Sequence, residues 1–327
     1  MKMQGSGAAK ASSQGRFWSA VLVGMLCGRL MAQAQTASWT GAAGNSLWHD
    51  PLNWSLDGQG MPALPGPGTN VFIGSGALVN YTVAAGPGAV GPLTLAGQLT
   101  VAGPGLVIDG AGQAGLTLET GGWLHVTPAG VLVLTNGGTS VLNTDSALSI
   151  EGGAVFLTNH LPDMAVLNIG LNGNNSGAGL TNRGGQFVAE LPVRLRGRFS
   201  RVLLQGGRLE LRAGGGIYEG SNDQERPWLI DGGEAFLGDF SISRTTPGGG
   251  LVISNGVVTA TSLRVGTHNS RAYATIYGGV LTNTGAFTIG DRTNGATSGD
   301  RRIRFQSAAA RWSARTRKAL SSATSPT

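Results

Sequence analysis

Three copies of one pattern, IDGGEAFLGDFSIS (230–243), ISNGVVTATSLRVG (253–266) and IYGGVLTNTGAFTIG (276–290), follow one another in the sequence. The copies begin at Ile230, Ile253 and Ile276, so their starts are 23 residues apart, twice. After each glycine corner comes an apolar pair, the third pair being displaced by one inserted residue: Phe240 and Ile242, Leu263 and Val265, Phe287 and Ile289. A repeat of fixed length that keeps its apolar phase is typical of solenoid proteins.

The repeat length and the residue types predict an all-β solenoid. About 23 residues of short strands and glycine corners suffice for one coil of a parallel β-helix, in which each apolar residue stacks on its counterpart about 4.8 Å away. Fainter copies begin at Ile150 and Leu204. The alternative is an antiparallel sandwich in which Gly-Gly and Asn-Gly form hairpin turns. A sandwich gives no reason for the 23-residue period, so we favour the solenoid and assign residues 71–300 to it.

The rest of this region is consistent with β-structure. Short alternating runs such as GLTLET (115–120), WLHVT (123–127) and VLVLTN (131–136) are bounded by Gly, Asn or Pro. No segment has a convincing helical period. The 56 glycines and 13 prolines among 327 residues stay below the share at which disorder is the default, and 41% hydrophobic residues suffice for a core.

Residues 1–34 resemble an export signal. Basic residues up to Arg16 precede the apolar run FWSAVLVGML (17–26), and Ala32-Gln33-Ala34 offers a small-x-small cleavage site. The apolar run is shorter than the roughly 20 residues that span a bilayer. We therefore expect cleavage after Ala34, with no transmembrane segment remaining, and removal of Cys27, the chain's single cysteine.

Residues 35–70 form a tryptophan-rich segment, with Trp39, Trp48 and Trp54 inside SWTGAAGNSLWHDPLNWSLDG (38–58). This segment and the sequence LTNTGAFTIGD (281–291) resemble those of secreted bacterial proteins with autotransporter-associated β-strand repeats. The resemblance implies a right-handed parallel β-helix with a short Trp-rich N-terminal cap, located extracellularly or on the outer surface of a Gram-negative-type bacterium. The group has no shared catalytic residues to transfer.

Residues 301–327 differ abruptly in composition, with seven basic residues, no acidic residue and no glycine. Two interpretations stay open: a disordered or partly helical basic tail, or the product of a reading-frame artefact.

The charge distribution argues against nucleic-acid binding. The formal net charge is +6, but residues 35–300 have more carboxylates than Lys and Arg, and no Lys or Arg occurs between Gln35 and Asn182. That region cannot neutralise a phosphate backbone.

No catalytic, metal or cofactor site is predicted. Asp109, Asp145, Asp231 and Asp239 are best explained as corner residues, and the four histidines are scattered. Two groups are candidate glycan-binding residues: Trp39, Trp48 and Trp54 as an aromatic platform, and Arg194, Arg196 and Arg198 as a stripe on one strand face. The alternatives are a buried cap for the tryptophans and a solvated face for the arginines.

We therefore expect a secreted or cell-surface structural or adhesive β-helix shaft without catalytic activity or cofactors. Its expected partner is a cell-surface or extracellular polysaccharide. The alternatives are a polysaccharide lyase or hydrolase on the same fold, or a glycan-binding module.

Overall fold

The computed structural model describes residues 34–58, 60–82, 88–158, 165–170, 177–197, 199–217, 227–242, 249–266, 272–290, 301–305 and 311–314. The predicted signal, apart from Ala34, lies outside the described residues. Residues Gln35–Thr327 form one compact unit. Among the described residues the helical structure is confined to one 3₁₀ turn, Pro51–Asn53.

The unit is a parallel β-solenoid, as predicted, and it has about eight turns. Its strands stack on three faces. Face I contains β3 (Asn70–Ile73), β6 (Leu93–Leu95), β9 (Leu116–Leu118), β12 (Ser140–Leu142), β15 (Leu167–Ile169), β17 (Val193–Leu195), β19 (Gly215–Ile217) and β24 (Phe287–Ile289). Face II contains β4 (Leu78–Tyr81), β7 (Gln98–Val101), β10 (Trp123–Val126), β13 (Ala147–Ile150), β22 (Ala272–Ile276) and β25 (Arg301–Phe305). Face III contains β5 (Gly88–Val90), β8 (Leu106–Asp109), β11 (Val131–Thr135), β14 (Ala154–Thr158), β23 (Val280–Asn283) and β26 (Arg311–Ala314).

Four long strands continue around corners, where their pairing shifts in register or is interrupted. β16 (Gly179–Ala189) and β18 (Arg201–Leu211) run from face II to face III. β20 (Pro227–Ile242) and β21 (Gly249–Val265) run through faces II and III and end on face I.

The predicted repeat is confirmed residue by residue. Ile230 pairs with Ile253, and Ile253 pairs with Ile276, in parallel register. The apolar pairs after the corner also stack, including the displaced third pair: Phe240 on Leu263 on Phe287, and Ile242 on Val265 on Ile289. The two faint copies belong to the same column, because Leu204 pairs with Ile230 and Ile150 is linked to Leu204 through Asn182.

Coil length varies more than the sequence repeat indicates. On face I, Arg194 pairs with Gly216, 22 residues later, whereas Val141 pairs with Asn168, 27 residues later. On face II, Leu148 pairs with Leu180, 32 residues later, and this interval includes two segments outside the described residues.

The core lies between the three faces. Strand residues alternate between core and exterior, as in β7, where Leu99 and Val101 are buried and Gln98 is exposed. Stacking places like on like: one face II column contains Val79, Leu99, Leu124, Leu148, Leu180, Val202, Trp228, Leu251 and Ala274, all buried. In one coil the column position is taken by Trp228, whose ring packs edge-on against Phe240.

The Trp-rich segment covers the first coil. β1 (Thr36–Trp39) extends face I by pairing in parallel with β3, and β2 (Trp54–Leu56) pairs antiparallel with the other edge of β1. Leu47 adds a single bridge to Asn80 on face II. The antiparallel strand interrupts the parallel stack, which limits edge-to-edge growth at this end of the solenoid.

Two strands lie within the segment 301–327 that composition separates from the repeats. β25 pairs in parallel with β22, and β26 pairs in parallel with β23. Residues 306–310 and 315–327 lie outside the described part of the chain. Whether residues 301–327 are a basic tail or the product of a reading-frame artefact, and whether the segment begins at residue 301, stay predictions.

Candidate functional site

The three N-terminal tryptophans form one cluster inside the cap. Trp48 and Trp54 pack edge-to-face with centroids 4.8 Å apart, and Trp39 packs on Trp54 at 5.0 Å. The Trp54 indole N–H donates to the backbone oxygen of Trp48 at 2.7 Å. Trp48 and Trp54 are buried, whereas Trp39 is half-buried. The burial of Trp48 and Trp54 favours the cap interpretation. Of the three rings, Trp39 alone has exposed surface that a ligand could contact.

Trp39 borders an open cavity of about 530 Å³ between the cap and the first turns of the solenoid. Gly41, Asn45, Gly76 and Leu78 are among the residues that line it. None of the described residues that line this cavity is charged, so it offers an aromatic edge, backbone groups and the uncharged polar side chains of Thr40, Asn45, Ser46 and Ser75.

His49 and Tyr81 join the cap to face II. Their rings pack edge-to-face at 5.2 Å, and the His49 Nε2 atom lies 3.2 Å from the backbone oxygen of Thr82. Burial lowers the pKa of His49, an effect that the hydrogen bond with the Thr82 backbone opposes. Burial also raises the pKa of Tyr81. Both rings are therefore held in their neutral forms near pH 7.

The arginine stripe lies on face I. In β17, Arg194 alternates with the buried residues Val193 and Leu195, and Arg196 follows the strand with the same outward phase. Both arginines are half-buried, and Arg198 lies outside the described residues. Arg194 stacks between Asn168 and Gly216 of the neighbouring coils. The glycan-binding hypothesis for these arginines stays a prediction.

The four aspartates weighed for catalysis occupy different corners. Asp109 accepts hydrogen bonds from the Ala111 N–H and the Asn136 amide, and Asp239 accepts one from the Ser262 hydroxyl at 2.6 Å. Asp145 has a φ of 53°, a turn conformation. Asp231 is exposed in the corner between faces II and III. These contacts match the corner interpretation.

A row of outward-facing side chains that sequence reasoning missed crosses four coils on face II. It consists of Trp123, His125, Glu151, Arg183 and Gln205, and we refer to it as the Trp123 row. The rings of Trp123 and His125 are 5.8 Å apart, and the His125 Nε2 atom is 3.9 Å from a carboxylate oxygen of Glu151. Arg183 donates to Glu151 at 2.9 Å and to Gln205 at 3.0 Å.

A sequence signal for part of this row exists. Glu151, Arg183 and Gln205 each stand immediately before a Gly-Gly pair and after a residue of the inward column. Aligning every Gly-Gly pair, including the pair after Arg183, would have predicted that the three side chains stack. The copy of the repeat at residues 182–185 is hard to recognise in the sequence, because Asn182 occupies the column position that Ile150 and Leu204 fill in the neighbouring coils.

The glycines beside this row leave a groove of about 600 Å³ along the corner between faces II and III. Gly153, Gly185 and Gly207 line its floor, and Arg208 and Glu234 lie on the face III side.

Face III has a compact charged network next to the groove. Glu210 binds Arg208 at 2.9 Å and Arg212 at 2.8 Å, and Arg212 also binds Glu190 at 2.9 Å. The hydrogen bond from Arg212, supported by that from Arg208, lowers the pKa of Glu210 against the opposing effect of burial. The Arg208 guanidinium also lies 4.5 Å above the Phe236 ring. Because its charges are largely paired, this network resembles a structural clasp between coils.

Within the described residues, no group of three or more His, Cys, Asp or Glu side chains is placed to hold a metal ion. In the same part of the chain, no helix has the length and apolar character needed to cross a membrane.

Comparison with known proteins adds no relative. No family model matches this chain, and neither a curated protein nor a solved structure has detectable similarity to it. The argument for function therefore rests on the residues and their geometry.

Proposed function

We propose that this protein is an exported structural or adhesive β-solenoid that acts at the cell surface or outside the cell, without catalysis. The observation that carries the proposal is the continuous stack of the Ile230, Ile253 and Ile276 coils, in which the repeated residues serve the core. A scaffold needs only such stacking, because its outer faces are free to vary.

The distribution of acidic side chains supports a non-catalytic role. A glycosidase of the usual type places two carboxylates about 5–9.5 Å apart around one bond. Here Asp109 caps a turn and Asp239 binds Ser262, in different coils, and the neighbouring carboxylates Glu190 and Glu210 are both bound to Arg212. The signal-like residues 1–34 and the resemblance to autotransporter-associated repeat proteins support export.

The proposal is tested in the native host with an antibody against the solenoid. We expect the chain in the surface or extracellular fraction, accessible to added protease in intact cells, and a chain lacking residues 2–34 retained in the cytoplasm. A gene deletion should reduce attachment of cells to a surface or to each other. A cytoplasmic enzyme serves as the fractionation control.

Three results would contradict the proposal. These are wild-type protein confined to the cytoplasm, unchanged attachment after deletion, and release of sugar fragments from polysaccharides by purified protein. The last result would favour the polysaccharide-degrading alternative.

A further inference from the structure

We propose that the Trp123 row is a carbohydrate-binding surface that takes an uncharged polysaccharide, with one pyranose ring stacked on Trp123. The inference rests on the proposed function because it supplies the adhesive contact that an exported solenoid needs. It concerns residues other than the tryptophans and arginines that the sequence singled out.

Trp123 is placed differently from the other tryptophans whose side chains the structure describes. Trp48, Trp54 and Trp228 are at most 4% exposed and Trp39 is half-buried, whereas Trp123 is 41% exposed at the start of β10. A large aromatic ring gains nothing for the core when it stands in solvent. Aromatic faces combine apolar contact area with a polar edge, which suits the apolar faces of sugar rings.

The neighbours of Trp123 along the coil stack are small on one side. The next two residues of its column are Ala147 and Gly179. A Cβ added at Gly179 would meet no heavy atom within 4 Å. The flank of the indole over these two coils is therefore left open for a ligand of one or two sugar rings.

The polar part of the row supplies hydrogen-bonding groups beside the ring. His125 and Glu151 follow Trp123 toward the corner, and Arg183 bridges Glu151 and Gln205. Sugar hydroxyls both donate and accept, so carboxylate, guanidinium and amide groups held in fixed positions match them. Neighbouring coils are about 4.8 Å apart, so the polar side chains that successive coils contribute lie within reach of one bound oligosaccharide.

The charge of the region selects an uncharged glycan. Residues 35–182 contain seven carboxylates and no Lys or Arg. Arg183 lies 2.9 Å from Glu151, so its charge is compensated within the row. Within the row itself an acidic polysaccharide would meet the Glu151 carboxylate and no unpaired cation, which is unfavourable, while the exposed Arg201 lies one coil beyond Gly179 in the Trp123 column.

The test measures binding of the purified full chain, without its signal, to uncharged and acidic polysaccharides. The probes are laminarin, soluble β-glucan, mannan and xylan, with alginate and polygalacturonate as the acidic set. Affinity electrophoresis gives the affinities, and shielding of tryptophan fluorescence from acrylamide reports contact with a ring. We expect at least one uncharged probe to bind and the acidic probes to bind at least tenfold more weakly.

Three variants assign the binding to the row. Trp123→Ala should weaken binding by about tenfold or more and abolish the shielding, whereas Trp123→Phe should retain most of the affinity. Tyr277→Ala is the matched control, because Tyr277 is an exposed aromatic residue three coils beyond Gln205 and lines neither cavity, and it should bind like the wild type. Glu151→Gln should weaken binding by a few-fold. Since Trp123 is exposed, circular dichroism should show every variant folded.

Several outcomes would overturn the inference. These are no binding to any uncharged probe, equal binding by wild type and Trp123→Ala, or tighter binding of the acidic set. Self-association of the wild type that Trp123→Ala abolishes, without glycan binding, would assign the surface to a second copy of the chain. If the protein is exported and promotes attachment while Trp123→Ala does so equally, this inference fails and the proposed function stands.

Discussion

The carbonyl oxygen of Gly233 lies 2.8 Å from the position that a Cβ atom on Gly256 would occupy. The same relationship recurs along the corner between faces II and III, where each glycine faces the carbonyl of the glycine one coil earlier: Gly153, Gly185, Gly207, Gly233, Gly256 and Gly279. The backbone of one coil therefore fills the space that a side chain on the next would need. This close approach explains why the Gly-Gly and Asn-Gly pairs repeat. At Gly256 the φ of 103° adds a second reason for glycine.

The first prediction concerns steric exclusion at this corner. Gly185→Ala should lower the free energy of unfolding by about 1–3 kcal/mol, because the new methyl would overlap the Gly153 oxygen and the Ile150 side chain. Gly185 is informative because its φ is not in the left-handed region, so sterics alone are tested. Chemical denaturation measures the effect.

Gly179→Ala is the matched control in the same strand, because a Cβ there would meet no atom within 4 Å. We expect this variant to be unchanged or stabilised by up to about 1 kcal/mol. Equal effects of the two substitutions would refute the stacking explanation for the corner.

The second prediction concerns the apolar column. Ile253→Asp should destabilise the solenoid by more than about 4 kcal/mol, because a carboxylate would be buried between Ile230 and Ile276 without a partner. Val252→Asp, on the outward side of the same strand, should have a much smaller effect. Thermal unfolding followed by circular dichroism compares the two. Similar melting temperatures for both variants would count against the register.

The third prediction concerns the buried amide of Asn182. Its Nδ2 donates to the oxygens of Gly185 and Arg208 at 3.1 and 3.0 Å, and its Oδ1 accepts from the Gly185 N–H at 2.9 Å. Asn182→Leu would restore the apolar column but leave these backbone groups unpaired, so we expect a loss of about 1–3 kcal/mol.

Thr181→Val, on the outward side of the same strand, is the control and should change the unfolding midpoint little. A more stable Asn182→Leu variant would show that column packing outweighs the hydrogen bonds at this corner.

The fourth prediction concerns pH and the cap. The folded-state pKa of His49 is lowered, so the unfolded chain binds more protons as the pH falls below about 6.5, and protonation favours unfolding. The stabilising contribution is therefore complete above that pH and is lost as the pH falls toward the folded-state pKa. Thermal unfolding of the cap, followed by fluorescence of the nearby Trp48 and Trp54, should shift to lower temperature between pH 7 and pH 5.

His49→Gln removes the titrating group and should flatten this dependence relative to the wild type. If both proteins lose the same stability over that pH range, His49 is not the group responsible.

The sequence alone determined the solenoid because its evidence is local and repeated. Ile230, Ile253 and Ile276 are separated by one coil length, and any residue in such an array meets its own counterpart in the next coil. The four-residue signal, an apolar residue followed by a glycine corner as in Ile230-Asp231-Gly232-Gly233, needs no long-range information. Burial of Trp48 and Trp54 in a cap was one of the two interpretations that the sequence offered, because aromatic residues cluster at the ends of a core.

Only the tertiary structure showed that Trp123 and His125 lie beside Glu151, and counting by the 23-residue repeat does not bring Glu151, Arg183 and Gln205 together. Glu151 and Arg183 are 32 residues apart, whereas Arg183 and Gln205 are 22 apart, yet the three lie in contact along one corner. Counting in steps of 23 cannot place them together, because insertions between strands change the coil length without changing the pairing. The buried apolar residues of the core fix the register of the strands. That register then determines which outward side chains become neighbours. Aligned Gly-Gly pairs identify Glu151, Arg183 and Gln205 in the sequence, whereas only the stacked coils place Trp123 and His125 in the same row.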